Sequence, residues 1–234
     1  MEEKKYELLK EDSISVYSST LYRIRALKDF NDIKAGDLGG YIEKEYNLSQ
    51  CDNCWVYGNA RVFDNARVFD NAIVFDNAIV CGNARVYDDA IVYGNAEVYN
   101  DAIVYGNAKV SGNAKVYGDA KVYGDARVYN NAIVSDNAIV YGNAYIYNNA
   151  YITRTNDHVV IGPIGSRSDY TTFYLDKDRN IYVKCGCFSG TINEFENAVK
   201  ETHKYNELYR EQYLCIISCI RHVFELNKEE NDNE

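Results

Sequence analysis

Residues 55–102 read WVYGNA RVFDNA RVFDNA IVFDNA IVCGNA RVYDDA IVYGNA EVYNDA, and the same six-residue phrase continues to YITR at 151–154. Val or Ile occupies every sixth position from Val56 to Ile152, seventeen in all, and Ala every sixth position from Ala60 to Ala150, sixteen in all. Within Ala-x-Val-Tyr the apolar Ala and Val alternate with variable residues, which is strand periodicity with Ala and Val inward. The Gly/Asp/Asn–Asn/Asp pair that follows tolerates positive φ and bonds its own backbone, so it turns the chain. A strand of about four residues and a two-residue corner, repeated, winds a coil. A period of six is foreign to an α-helix, whose repeat is about 3.6 residues.

The repeat resembles the hexapeptide-repeat proteins, and the resemblance implies their fold: a mainly β, left-handed parallel β-helix with three hexads, or 18 residues, per coil. Seventeen strands then give somewhat under six coils, roughly 27 Å of solenoid at ~4.8 Å per layer. A single coil cannot bury its own inner face; stacking does it. Residues 1–54 depart from the repeat. YRIRALKDF at 22–30 reads as a strand, and Ile42 and Leu48 stand six apart, so this segment is expected to begin the solenoid and cap it, with CDNC inserted before Trp55. A cap is needed because an open β-helix end exposes unpaired backbone. The stretch GDLGGYIEKEYNLSQ…CWVYGNARV resembles the N-terminal part of phage and prophage hexapeptide-repeat proteins that carry a transferase label.

After Arg154 the hexads stop. TFYLDKDRNIYVKCG reads as two strands around a DKDRN turn. Thr191 and Glu194 form a Thr-x-x-Glu capping box ahead of a helix with Ile192, Phe195, Val199 and Thr202 on one stripe. A second helix is expected over roughly 207–226, with Tyr209, Tyr213, Ile216, Ile217, Ile220 and Phe224 on one side. Residues 154–226 are thus expected to be a small α+β module after the 55–153 solenoid, and 227–234 an acidic tail. The string IGPIGSRSDYTTFY…VKCGCFSGT resembles a module appended to several kinds of repeat protein in phage-related genes.

The chain has 234 residues and a net charge of -10, spread as -3, -3 and -4 over residues 1–54, 55–153 and 154–234. That balance disfavours a nucleic-acid backbone binder, which needs a basic footprint. No apolar run approaches a membrane span, and the first residues lack the apolar stretch of a signal peptide. Seven scattered Cys form no disulfide framework. The expectation is a reduced, cytoplasmic protein with no membrane partner.

The hexapeptide resemblance implies acyltransfer with a His as general base. The three His, at 158, 203 and 222, all lie outside the solenoid repeat. His158 is expected to be a solvated loop residue, His203 to end the first C-terminal helix, and His222 to sit on the polar side of the second. Cys51-x-x-Cys54 and Cys185-x-Cys187 offer thiolates for zinc, but they fall at opposite ends of the solenoid and no His flanks them at ligand spacing. No metal and no cofactor are expected. Cys215 and Cys219, four apart on an apolar helix, are expected in the core.

The best anion site in the sequence is in the C-terminal module. Gly165-Ser166-Arg167 is a small loop with one fixed cation. Lys184 precedes a second loop, 185–190, that leads to the helix start at Thr191, where free N–H groups attract anions. If the loops converge, Ser166, Arg167, Lys184 and Thr191 hold a phosphate or carboxylate, and Tyr170 or Tyr174 stacks on a base. On the solenoid, the residue after Val/Ile is aromatic in thirteen of sixteen hexads. At 18-residue spacing Phe69, Tyr87, Tyr105, Tyr123 and Tyr141 form an unbroken column beside Arg67, Arg85, Ile103, Lys121 and Ile139. Stacked aromatics stabilise a sheet, and an exposed apolar face also marks an interface; self-association follows, with a trimer implied by the hexapeptide resemblance. The sequence therefore reads as a non-catalytic binding protein. Given the phage resemblance, it would sequester a nucleotide-type signal or occupy a host defence protein. A hexapeptide-type acyltransferase is the alternative and a virion scaffold the third possibility.

Overall fold

The computed structural model describes residues 4–231. Its middle is a parallel β-solenoid of seventeen two-residue strands, β4 (Trp55–Val56) through β20 (Tyr151–Ile152), one for every hexad. Each strand pairs in parallel with the strand 18 residues away, as Ile103 does with Arg85 and Lys121, and Val104 with Val86 and Val122. Three sheets result, one per side of the coil. All sixteen first corner residues, from Gly58 to Asn148, have φ between 54° and 71°, the left-handed region that Gly, Asn and Asp tolerate best. The second corner residue ties the layers together. Asn77 donates to Asn95 (3.3 Å), Asn95 to Asn113 (3.1 Å) and Asn113 to Asn131 (3.0 Å). The repeated Ala and Val/Ile fill the lumen and are buried without exception.

The N-terminal residues extend one of these sheets. Strands β1 (Tyr6–Val16) and β2 (Ser19–Ala26) form an antiparallel hairpin, and β3 (Leu38–Ile42) pairs antiparallel with β2 and parallel with β5 (Arg61–Val62). Ile42 and Leu48 are buried lumen residues, as expected, but they register with Val62 and Val68 at an offset of 20. The first coil is two residues longer than the others because CDNC widens its last corner. Lys5 holds that corner: its Nζ donates to the carbonyls of Cys51 (3.0 Å) and Cys54 (2.9 Å). The chain runs close at Gly40, where a Cβ would stand 2.6 Å from the Ala60 carbonyl.

At the other end, β21 (His158–Ile164), β22 (Asp169–Leu175), β23 (Ile181–Cys185) and β24 (Phe188–Thr191) form one antiparallel sheet in chain order. Helices α1 (Ile192–Thr202) and α2 (Glu207–Asn231) follow. The expected hairpin is thus the centre of a four-stranded sheet, and α2 continues past 226; residues 232–234 of the acidic tail lie outside the described residues. Strand alternation on β22 decides how this head sits. Tyr174 points into the solenoid core, whereas Phe173 and Leu175 point to the other face, among Val183, Ile192, Phe195, Val199, Tyr213, Ile217, Ile220 and Phe224. The sheet therefore closes the solenoid with one face and carries its helices on the other. Thr172 Oγ1 accepts from the Tyr145 N–H at 2.9 Å across the joint.

Candidate functional site

Two turns of the head sheet lie at the same edge. The 165–168 turn joins β21 to β22, where Ile164 pairs with Asp169. Gly186 and Cys187 join β23 to β24, where Cys185 pairs with Phe188. With the inner sides of α1 and α2 they enclose a cavity of about 340 Å³. Its apolar lining is Phe188, Phe195, Val199 and Tyr213; Ser166, Arg167, Asp169, Cys185, Cys187 and His203 supply the polar groups. The rings are set edge to face, Phe195 to Tyr213 at 5.6 Å and 86°, and the His203 imidazole stacks on Tyr213 at 5.7 Å and 18°. Arg167 lies over the Cys-Gly-Cys turn, its Nη1 3.0 Å from where a Cβ on Gly186 would stand. Gly186 also has φ 54°, so the position favours glycine twice over. Among the described residues no carboxylate pairs with Arg167, and Asp169 instead accepts from the Tyr170 N–H. Burial, then the neighbouring Cys185, push the Tyr213 phenol far up, with Arg167 opposing, so its hydroxyl keeps its proton at neutral pH.

The 165–167 and 185–187 loops, whose convergence the anion site requires, do line one cavity. The rest of the expected set is dispersed. Lys184 and Cys185 are neighbours on a strand and so face opposite ways. Lys184 donates to the Gly186 carbonyl (2.7 Å) and sits over the Tyr147 ring on the solenoid side. Thr191 is separated from the turn by β24 and is occupied as the α1 cap, where Glu194 N–H donates to its Oγ1 at 3.3 Å and its own N–H donates to Glu194 at 2.7 Å. Tyr170 is exposed and packs by Gly162, outside the cavity lining. Tyr174 is buried against Tyr182 and cannot stack on a ligand. Phe188, Phe195, His203 and Tyr213 replace them. The stripe of Phe195, Val199 and Thr202 is readable in the sequence, but its place beside the two turns is not.

The expected aromatic column exists. Phe69, Tyr87, Tyr105, Tyr123 and Tyr141 stack with centroids 4.8, 5.0, 4.8 and 5.7 Å apart. Neighbouring rings cover one another's faces, so edges and hydroxyls reach solvent, and burial pushes the Tyr87 and Tyr105 phenols up. Beside the column runs a shallow groove of about 830 Å³ between Arg67, Arg85, Ile103, Lys121 and Ile139 and the Asn/Asp corner ladder. His158 ends the column edge-on to Tyr141 at 6.4 Å.

His158 corrects one expectation: it is buried, 7% exposed, as the first residue of β21. Burial lowers its pKa to about 4, against the opposing pull of Asp157. Its Nδ1 is buried without a partner. A folded-state value below the unfolded 6.5 means that the unfolded chain takes up the proton first. Stability is therefore full above pH 6.5 and is lost as pH falls towards 4, by about 3 kcal/mol for this group. Urea unfolding of the wild type and of His158→Phe at pH 7 and pH 4.5 should show that extra loss in the wild type only; equal losses would refute it. His203 caps α1, donating its backbone N–H to Val199 O, and His222 is exposed, both as expected. Cys215 and Cys219 are exposed, contrary to expectation, because Tyr213, Ile217, Ile220 and Phe224 form the buried side of α2. Cys54 is buried beside Lys5 at the far end from Cys185 and Cys187, so no zinc site joins the two pairs. No described helix is long and apolar enough to cross a membrane.

A six-residue step of strand and corner, 18-residue layers and an Ala/Val lumen define a hexapeptide-repeat β-helix, and this chain carries one. Its repeats match the YdcK beta-solenoid repeat at residues 66–82, 78–94, 84–99 and 120–136. Over 61 residues the chain is 39% identical to a protein of Escherichia coli (strain K12) named uncharacterized acetyltransferase YdcK. That similarity covers 23% of this chain and 19% of the relative, so it spans about a fifth of the protein that bears the name.

Proposed function

We propose that this chain is a non-catalytic binding protein whose head takes up a small anion bearing a planar ring, of the nucleotide type. The observation that supports this reading best is the unpaired Arg167 guanidinium at a cavity with an aromatic wall. A guanidinium forks onto phosphate or carboxylate, the rings favour a flat apolar partner, and 340 Å³ lies in the range of small-molecule pockets. In a phage setting such uptake would remove a signal from a host defence. Self-association through the Phe69–Tyr141 column belongs to the same proposal, since it would array several heads.

Mononucleotides and cyclic mononucleotides should raise the melting temperature of the wild type. Arg167→Ala should weaken that binding roughly 10- to 100-fold, the worth of a charged hydrogen bond, while leaving the unliganded melt unchanged. If none of these compounds moves the wild-type melt at millimolar concentration, the small-anion reading fails and occupation of a host protein takes its place.

The name of the Escherichia coli relative favours a second reading, acetyl transfer. A general base must reach the substrate proton, and the unpartnered nitrogen of His158 is covered. Acetyl-CoA turnover that disappears in His158→Ala would overturn the non-catalytic reading.

A further inference from the structure

The Cys185–Gly186–Cys187 turn carries a chemistry separate from anion uptake. Cys185 and Cys187 both line the same cavity, in a turn whose middle residue takes φ 54°. The Thr171 hydroxyl, fully buried, donates to Cys185 Sγ at 3.1 Å. The Tyr213 hydroxyl stands 3.8 Å from the same sulfur. On the open side, the unpaired Arg167 guanidinium overhangs Gly186. A half-buried sulfur met by two hydroxyls, a second cysteine two residues on and a guanidinium over the glycine between them put two soft donors and one positive charge at a single turn.

We propose that this turn binds a soft monovalent d10 cation of the copper(I) class through the two thiolates. Binding one M⁺ to two thiols gives [M(SR)2]⁻ and releases two protons to solvent, with no change of oxidation state. The complex carries one negative charge, and Arg167 supplies the matching positive charge. Ligand number sets the class. Zinc asks for four ligands, or three and a water, and among the described residues no three His, Cys, Asp or Glu side chains gather as a metal site. Thiolates prefer copper(I) among the soft ions of the cell, and two suffice for linear coordination. The other five cysteines lie outside this cavity: Cys51 is exposed and Cys54 fully buried against Lys5 at the first corner, Cys81 lies on the solenoid, and Cys215 and Cys219 lie on the exposed side of α2.

The test uses full-length reduced protein without oxygen, titrated with copper(I) alone in competition with bicinchoninate. The wild type and Cys215→Ser/Cys219→Ser should each retain a single equivalent against the chelator. Cys185→Ser/Cys187→Ser should lose it, and so should Cys187→Ser, whose side chain is exposed and whose melt should match the wild type. Arg167→Ala and Thr171→Val should keep the stoichiometry and weaken binding roughly 10- to 100-fold, as outer-sphere partners do. Retention of the equivalent by Cys187→Ser, failure of the wild type to hold copper(I), or tighter binding of zinc(II) would each overturn the proposal. Its failure leaves the nucleotide reading untouched, because that reading is measured by a different ligand on metal-free protein.

Discussion

Val104→Asp should leave the chain without a cooperative unfolding transition. Val104 is fully buried in the middle coil, in register with Val86 above and Val122 below. Its walls are Ala and Val, so a carboxylate there meets no donor. An unpaired charge in such a place costs several kcal/mol even after relaxation, a large part of the 5–15 kcal/mol that holds a typical domain together. The architecture magnifies the loss. Each layer contacts only its neighbours, so a failed middle coil exposes two fresh parallel edges, and unpaired edges recruit other chains. The variant should be found aggregated on size exclusion, with a broad, featureless thermal melt by circular dichroism. Val104→Ala, which removes two methyls without adding charge, should melt cooperatively with about 2–4 kcal/mol less stability. A soluble, cooperatively melting Val104→Asp would show that the lumen is wet at this layer, and the account of the core would be wrong.

The lumen was legible because it depends on local facts alone. A residue six places on has the same surroundings, so each hexad states the rule again, and the φ of all sixteen first corner residues follows from their being Gly, Asp or Asn. The aromatic column was legible for the same reason, since 18-residue spacing is a sum of three such steps. The widened first coil was legible in part: Ile42 and Leu48 keep their six-residue spacing and CDNC stands out as an insertion before Trp55, whereas the strands it registers with come only from the structure.

The head obeys no repeat, and there the reading by adjacency failed in a particular way. Arg167 and the Cys185–Cys187 turn come together because hairpin turns of one antiparallel sheet recur at the same edge. Lys184 was misplaced although its position was readable, since alternation along Val183-Lys184-Cys185 already puts Lys184 and Cys185 on opposite faces. Thr191 was misplaced because Phe188–Thr191 is a strand too short and too rich in Ser and Gly to announce itself. Phe195, His203 and Tyr213 come to the cavity only through packing of α1 and α2 on the sheet, which no local pattern reports. His158 reads as a loop residue because it stands at the solenoid exit, and the residues before it do form a turn, at 155–157. The strand that begins at His158 carries it into the solenoid end.

That same turn holds the residue whose loss should separate the two halves of the molecule. Asp157→Ala should cost about 3–5 kcal/mol, the usual result of removing one member of a buried ion pair. The Asp157 carboxylate is fully buried. It accepts from Arg179 Nη1 at 2.6 Å and Arg154 Nη2 at 3.1 Å on one oxygen, and from Thr153 N, Thr153 Oγ1 and Arg154 N at 3.0, 3.0 and 2.9 Å on the other. Burial alone would raise its pKa; Arg179 and the backbone donors outweigh it and hold the carboxyl below its usual range. Arg179 belongs to the turn between β22 and β23, and Thr153 and Arg154 are the last residues of the solenoid, so the carboxylate joins head to stem. Without it the head should melt before the coil, giving two transitions where the wild type gives one, with early proteolytic cleavage near 154–158. The pH dependence provides a second readout. A depressed carboxyl pKa contributes stability above the unfolded value near 4 and loses it as pH falls through the folded one, below the window in which His158 acts. Asp157→Ala should therefore lack the carboxylate's own loss at low pH, while the His158-dependent loss that begins near pH 6.5 should deepen and extend to lower pH, because Asp157 no longer opposes the burial of His158. A single transition within about 1 kcal/mol of the wild type, the range of an exposed ion pair, would mean that packing of Tyr174 and the Thr172–Tyr145 bond already suffices to seat the head.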